Sequence, residues 1–199
     1  GYLPEYRVDA LNPSQVAGLT ELIVFSVSPR NDGSLDSKAW PKRRLEKARN
    51  LATKAKARLV LAVGGWGRSA GFPGMAGNVQ SRQRFAKELS SFCQTNGFKG
   101  VVYDWEFPRS PKEEASFDYL LRETKHLFVP KRWTIEIAAN PARPLPRDWT
   151  VKVGAVHVMS YDNGAHHATY EQAVADLNTM AKLGVPAKKL LLGLPFYGR

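Results

Sequence analysis

The chain has 199 residues, and 29 lysines and arginines against 18 aspartates and glutamates give it a formal net charge of +11. Hydrophobic residues make up 43% and charged residues 24%, which excludes collagen-like, coiled-coil and disordered chains. No apolar run is long enough for a membrane span, and the N-terminus shows no export signal. One cysteine, Cys93, excludes an intrachain disulfide and a cysteine-cluster metal site.

Seven short, apolar, β-rich segments alternate with helical patterns along the chain. They cover approximately residues 1–8, 21–29, 58–66, 100–107, 133–140, 154–162 and 189–197. Apolar stripes predict helices over 38–57, 80–95, 110–128 and 169–184, whereas three prolines predict a loop over 141–149. The alternation predicts βα units, a parallel sheet and a single domain over 1–199.

Such a series fits either an open doubly wound sheet or a barrel. A doubly wound nucleotide-binding sheet carries a glycine fingerprint after its first strand, and residues 2–12 have none. Polar and aromatic residues instead gather at the ends of several strands, as in barrel enzymes. They are Trp66, Asp104, Glu106, Tyr161, Asp162, Tyr197 and Arg199. The sequence therefore predicts a (β/α)8 TIM barrel of which seven strands are visible.

Two carboxylates, Asp104 and Glu106, lie on the fourth predicted strand. Side chains alternate across a strand, so these two share a face with Val102 and lie about 6–7 Å apart along the backbone. Crowding and desolvation are expected to raise one pKa, as a general acid requires. A structural ion pair with lysine or arginine is the alternative, but the carboxyl end of a barrel strand favours a catalytic site.

The segment 100–108, Gly-Val-Val-Tyr-Asp-Trp-Glu-Phe-Pro, resembles the signature Asp-x-x-Asp-x-Asp-x-Glu of glycoside hydrolase family 18, the chitinases and their relatives. Segments 59–66, 156–162 and 190–199 and the turn 32–35 match in order, so the resemblance covers essentially the whole chain. It implies hydrolysis of β-1,4-linked N-acetylglucosamine polymers without a metal or organic cofactor. It also implies an extracellular or cell-envelope location.

The resemblance implies a retaining mechanism in which the substrate supplies the nucleophile, an exception to the two-carboxylate rule. Glu106 would protonate the glycosidic oxygen and then activate water. Asp104 would orient the N-acetyl group, and Tyr161 would donate a hydrogen bond to its oxygen. The same resemblance implies a set of substrate-binding residues. They are Tyr2, Trp66, Phe107, Met159, Asp162, Tyr197 and Arg199.

Departures from the family pattern predict weak hydrolysis. Lys99 and Val102 stand at the positions of the first two signature aspartates, and Phe107 replaces the tyrosine that usually follows the catalytic glutamate. The chain also stops after the seventh strand, before the strand that supplies a tryptophan in the family. Two interpretations of this end stay open: a fragment of a longer chain, or an open barrel that self-associates through its edge strands.

Two other functions stay open beside chitin hydrolysis. One is sugar binding without turnover on the same scaffold, favoured by Lys99 and Val102. The other is hydrolysis of a different N-acetylglucosamine-containing glycan such as peptidoglycan, which the positive charge mildly favours.

The positive charge is concentrated in residues 38–58, which carry +8 of the +11. A solvated helix face is the expected reason. Nucleic-acid binding is not expected, because Trp40 is the only aromatic residue there. His157 is interpreted as a buried, hydrogen-bonded histidine, and His166 and His167 lack a third ligand for a metal site.

Overall fold

Parallel strands alternate with helices in the computed structural model, which describes residues 1–143, 145–164 and 166–198. Contacts group the chain into two units, Gly1–Ile135 and Glu136–Arg199. The predicted alternation of strand and helix is confirmed in both units. Among the described residues, no helix has the length and apolar character needed to cross a membrane.

The first unit is built on parallel strands in the order β1, β2, β4, β5, with the short β3 antiparallel to β2. The strands are β1 Tyr2–Pro4, β2 Glu21–Pro29, β3 Leu35–Asp36, β4 Arg58–Gly64 and β5 Gly100–Asp104. The helices are α1 Lys42–Ala55, α2 Phe72–Gly77, α3 Val79–Asn96 and α4 Pro111–Phe128, with 3-10 turns at Pro13–Val16 and Val129–Lys131. The sequence did not predict β3 or α2.

The second unit contains a smaller parallel sheet in which β7 lies between β6 and β8. Its strands are β6 Thr134–Ala139, which begins in the first unit, β7 Ala155–Val158 and β8 Leu190–Leu192. Its helices are α5 Arg147–Thr150 and α6 Tyr170–Lys182, with a 3-10 turn at Ala187–Lys189. The sequence predicts mostly loop over 141–149, whereas in the structure α5 begins at Arg147.

Strands β4 and β5 form the centre of the first unit's core. Leu61, Val63, Val101 and Tyr103 are all fully buried, as expected of a parallel strand covered on both faces. The Tyr103 hydroxyl lies 2.7 Å from the Thr124 hydroxyl of α4, so its polar group is satisfied inside the core. The apolar runs in the sequence therefore correspond to β4 and β5, and β5 ends at the predicted carboxylate Asp104.

Aromatic rings fix β5 against its helices. Trp105 stacks on Phe72 at 4.9 Å between ring centroids and meets Phe117 edge-on at 5.6 Å. Tyr103 meets Phe117 edge-on at 5.8 Å. The prediction that Tyr103 and Trp105 pack against helices is confirmed.

Ser110-Pro111-Lys112-Glu113, at the start of helix α4, has the sequence of a capping box, and the structure contains half of it. The Ser110 hydroxyl accepts a hydrogen bond from the Glu113 amide at 3.2 Å, as expected. The Glu113 carboxylate, however, accepts from the Arg109 amide at 2.7 Å, one residue before the cap. The glutamate thus fixes the chain entering the helix rather than the cap residue itself.

The predicted strands were too long at their carboxyl ends. Segments 1–8, 154–162 and 189–197 contract to the three- and four-residue strands β1, β7 and β8. The residues after each strand form loops, because pairing with the neighbouring strands ends there. The apolar stripe over 169–184 predicts that Val174 faces inward, but Val174 is 41% exposed and Asp176 is buried instead.

The basic helix α1 is partly neutralised by one residue. Arg43 and Arg44 both pair with Asp9, and the Lys47 ammonium donates to the Asp9 carbonyl oxygen at 2.7 Å. Leu45 and Leu51 lie on its buried side. The arrangement agrees with an exposed basic helix face.

Two glycines with similar backbone conformations, compared as alanine variants, test the packing between the β2–β3 turn and α3. Gly33 has φ +85°, and a Cβ there would lie 2.1 Å from the Ser81 carbonyl oxygen, whereas Gly18 has φ +82° with nothing within 4 Å. We expect Gly18→Ala to lower the free energy of unfolding by about 1 kcal/mol and Gly33→Ala by roughly 3 kcal/mol or more. Urea denaturation measures both. Equal losses would contradict the close contact.

Candidate active site

Asp104 is the last residue of β5 and is 5% exposed. Its Oδ1 atom is buried without a hydrogen-bond partner among the described residues. Burial, and secondarily the negative charge of Glu106, raise the pKa of Asp104 to about 7. The prediction that one carboxyl pKa is raised is therefore confirmed, and the affected group is Asp104.

The layer beneath Asp104 is apolar. Val102 precedes it by two residues on the same strand face, is fully buried, and is paired in register with the equally buried Ala62 of β4. No lysine or arginine among the described residues forms an ion pair with Asp104, so a structural ion pair of this carboxyl group is not observed. On β5 and on the neighbouring β4, the positions beneath Asp104 offer neither a second carboxylate nor a cation.

Glu106 lies in the loop after β5, not within the strand as predicted. Its side chain is half-buried, and its backbone amide donates to the Ser69 hydroxyl at 3.0 Å. The same hydroxyl lies 3.2 Å from the carbonyl oxygens of Gly65 and Asp104. The peptide bond between Glu106 and Phe107 is cis, and the Phe107 side chain is also half-buried. A half-buried carboxyl group on a fixed backbone suits proton transfer.

The end of β4 approaches β5 too closely for a side chain. Gly64 has φ +97°, and a Cβ there would lie 2.4 Å from the Asp104 carbonyl oxygen. The next amide, that of Gly65, donates to this oxygen at 2.7 Å. The chain then turns outward, and Trp66 is 83% exposed. The glycines on either side of Trp66 predict a strand that leaves the sheet and an exposed indole, which the structure confirms.

Arg68 links this loop to strand β2 and to the turn that follows β1. Its guanidinium pairs with Glu5 at 2.5 Å and donates to the Ser26 carbonyl oxygen at 3.0 Å. The ring of Tyr2, 43% exposed, meets Phe25 of β2 edge-on at 6.1 Å.

The first unit thus places Trp66, Asp104 and Glu106 at or just after the carboxyl ends of β4 and β5, whereas Tyr2 is the first residue of β1. Sequence reasoning missed Glu5, Arg68 and Ser69. The only sign of them in the sequence is that Arg68 and Ser69 closely follow the Gly64–Gly65 pair and that Glu5 follows the first predicted strand residues.

In the second unit, the residues after β7 form a separate cluster. The Tyr197 hydroxyl lies 3.2 Å from both carboxylate oxygens of Asp162, and its ring meets Tyr161 edge-on at 6.4 Å. His167, which was not predicted to take part, stacks on Tyr197 at 5.5 Å. Met159 is half-buried beside them in sequence. Of the residues predicted to bind substrate in this unit, Arg199 lies outside the described residues.

A buried hydrogen bond holds the backbone segment that carries this cluster. Ser160, between Met159 and Tyr161, donates to the buried Asp176 of α6 at 2.7 Å. His157 lies 2.8 Å from the Glu136 carboxylate, and both are buried, which confirms the prediction of a satisfied buried histidine. In the part of the chain that is described, no three histidine, cysteine or acidic side chains are grouped as a metal site requires.

Comparison with known proteins identifies a family to which the chain is similar. The family model described as "Glycosyl hydrolases family 18" matches residues 1–199. Endochitinase 1 of Metarhizium robertsii is 30% identical over 188 residues, covering 78% of this chain and 43% of that protein. Probable chitinase 2 of Drosophila melanogaster is 28% identical over 170 residues, covering 71% of this chain and 34% of that protein. The chain therefore spans less than half the length of either relative.

Solved structures agree on the fold. The chitinase RmChi1 of Rhizomucor miehei has a TM-score of 0.85 at 21% identity, covering 100% of this chain and 63% of that one. A mutant of the Ostrinia furnacalis Group II chitinase catalytic domain 2, in complex with "PENTA-N-ACETYLCHITOOCTAOSE (NAG)5", has a TM-score of 0.81 at 18% identity, covering 98% and 63%. The predicted TIM-barrel class is confirmed by these likenesses.

The raised pKa of Asp104 makes stability depend on pH. The pKa is about 7 in the folded chain against an ordinary value of 3.8, so the folded state binds the proton more tightly. Stability from this group is complete below pH 3.8 and is lost as the pH rises towards 7. We expect the free energy of unfolding to fall by roughly 2–4 kcal/mol across this range.

Urea denaturation at pH 4.5 and 7.5 measures this loss. Asp104→Asn should remove most of it, while the same change at the exposed Asp148 should leave it in place. A parallel loss of stability in wild type and Asp104→Asn would show that Asp104 is not the titrating group.

Proposed function

The chain belongs to glycosyl hydrolases family 18, and we propose that it cleaves β-1,4-linked N-acetylglucosamine polymers of the chitin type by substrate-assisted, retaining hydrolysis. The observation that carries this proposal is the pair of carboxyl groups at the end of β5. One is buried with a raised pKa, and the other lies half-buried in the adjoining loop. The named chitinases among the relatives and structures support the substrate class.

Glu106 is assigned the proton transfers. Its carboxyl group protonates the glycosidic oxygen as the bond from that oxygen to the anomeric carbon breaks. The acetamido oxygen of the same sugar attacks this carbon and gives a cyclic oxazolinium ion. The Glu106 carboxylate then removes a proton from water, which opens the ring with retention of configuration.

Asp104 is assigned the stabilisation of the intermediate. An ionised carboxylate beside the acetamido group accepts its N–H and balances the positive charge of the oxazolinium ion. With a pKa of about 7, Asp104 is close to half ionised at neutral pH. Because positive charge develops only during the reaction, a carboxylate held in a poorly solvated site interacts with the transition state more strongly than with the bound sugar.

Exposed aromatic rings are assigned to sugar binding. Trp66 offers most of its indole to solvent, and Tyr2 is also exposed. The flat C–H face of an N-acetylglucosamine ring packs on such a surface. In the second unit, Tyr161 is proposed to donate to the acetamido oxygen. Substrate contacts of Phe107, Met159, Asp162, Tyr197 and Arg199 remain predictions, as does an extracellular or cell-envelope location.

Sugar binding without turnover is the second candidate function. Fully buried Val102 stands where the family pattern has a carboxylate, and its partner in register on β4 is Ala62, so neither position can take the Asp104 proton. If that exchange is required, the protein binds chito-oligosaccharides and does not cleave them.

Removing the acid tests the assignment of Glu106. We expect Glu106→Gln to lower the release of a fluorescent reporter from an N-acetylchitobiose glycoside by about 100-fold or more, because the amide cannot donate the proton. Glu46→Gln, on the exposed face of α1, is the matched control and should keep the wild-type rate. Equal rates in wild type and Glu106→Gln would contradict the assignment of Glu106 as the general acid.

A carboxylate introduced at position 102, beneath Asp104, distinguishes the two candidate functions. We expect Val102→Asp to raise kcat by roughly tenfold, equivalent to about 1.4 kcal/mol in the barrier, because Asp104 gains a partner for its proton. Val102→Asn is the control, since it introduces a polar group of the same size that cannot exchange the proton. Melting temperatures check that both variants fold. An equal gain from the asparagine variant would contradict the proton-sharing explanation.

A further inference from the structure

Ser69 lies where the loops after β4 and β5 meet. The residue is 8% exposed, and its hydroxyl accepts a hydrogen bond from the Glu106 amide at 3.0 Å. The hydroxyl also lies 3.2 Å from the carbonyl oxygens of Gly65 and Asp104. A serine hydroxyl has one proton and two lone pairs, so it can accept from the amide while donating to either carbonyl.

This contact continues the link between two strands beyond the sheet. The paired register of β4 and β5 ends at Gly64 and Asp104. The Gly65 amide adds one more hydrogen bond, to the Asp104 carbonyl oxygen at 2.7 Å. Glu106 comes two residues later, where strand pairing no longer holds its backbone. The Ser69 hydroxyl supplies a hydrogen bond at this position.

The loop that carries Ser69 is itself held in place. The Arg68 guanidinium binds Glu5 after β1 and the Ser26 carbonyl oxygen of β2. The Ser69 carbonyl oxygen accepts from the Phe72 amide at 3.1 Å, at the start of α2. The loop whose Ser69 hydroxyl accepts from the Glu106 amide is therefore held by three neighbouring parts of the first unit: the turn after β1, strand β2 and the start of α2.

A general acid works only within hydrogen-bond reach of the oxygen that it protonates, and a displacement of about 1 Å costs on the order of 100-fold in rate. We infer that Ser69 is a positioning residue which, by holding the Glu106 backbone amide, sets the direction of the Glu106 carboxyl group. This inference rests on the proposed function, because it assigns Ser69 to the reaction of the same site.

Ser69→Ala removes the hydroxyl and tests this role. We expect kcat on the N-acetylchitobiose reporter to fall on the order of tenfold with KM unchanged, because sugar binding does not depend on the direction of the acid. Ser69→Thr keeps the hydroxyl and should restore most of the rate. Ser116→Ala is the control, since it removes another largely buried hydroxyl, which donates to the Lys112 carbonyl oxygen, without changing kcat.

Hydrogen exchange of the Glu106 amide gives a readout that needs no activity. Exchange should be at least tenfold faster in Ser69→Ala than in wild type and close to wild type in Ser69→Thr. An unchanged kcat in Ser69→Ala would overturn the inference, as would unchanged amide exchange. A wild type without turnover would contradict the proposed function instead, and amide exchange would then still decide whether Ser69 holds Glu106.

Discussion

The burial of the Asp104 carboxyl group is the constraint on which the site depends. A charged group at the end of a fully buried strand is costly, since β5 provides no cation and the layer beneath it is Val102 and Ala62. Protonation reduces this cost, and the raised pKa is its direct result. The geometry around the residue follows from the same burial. Gly64 lets β4 approach the Asp104 backbone, since a Cβ there would lie 2.4 Å from the Asp104 carbonyl oxygen.

The carboxyl groups of Asp104 and Glu106 differ because they lie on different kinds of backbone. Asp104 is held by strand pairing and is shielded on a core strand, whereas Glu106 lies past the last paired residue and is half-buried. Two acidic residues only two positions apart therefore have different environments. Such a difference suits a division of roles between an electrostatic group and a group that transfers protons.

Much of the first unit could be predicted from the sequence. The apolar runs of β4 and β5 and the stripes of α1 and α4 have periods that few alternatives fit. The exposure of Trp66 followed from its glycine neighbours, and the packing of Tyr103 and Trp105 followed from strand alternation.

The remaining features depend on contacts between distant segments. The contact between Ser69 and Glu106, the pairing of Arg68 with Glu5, and the shared use of Asp9 by two arginines join residues between 34 and 63 positions apart. Periodicity carries no signal for such contacts. Strand ends were overestimated for a related reason, because pairing and not residue type decides where a strand stops. Val174 was misplaced since a buried aspartate, Asp176, occupies the inner face of its helix.

The exposure of Trp66 also gives the protein an optical property. Of its five tryptophans, Trp40, Trp105 and Trp149 are buried, Trp133 is half-buried, and Trp66 alone is mostly in water. Indole emission shifts to longer wavelength in water, so the red edge of the intrinsic fluorescence belongs mainly to this one ring. If Trp66 binds a sugar as proposed, the covered ring leaves water and the red edge of the emission shifts to the blue without any label.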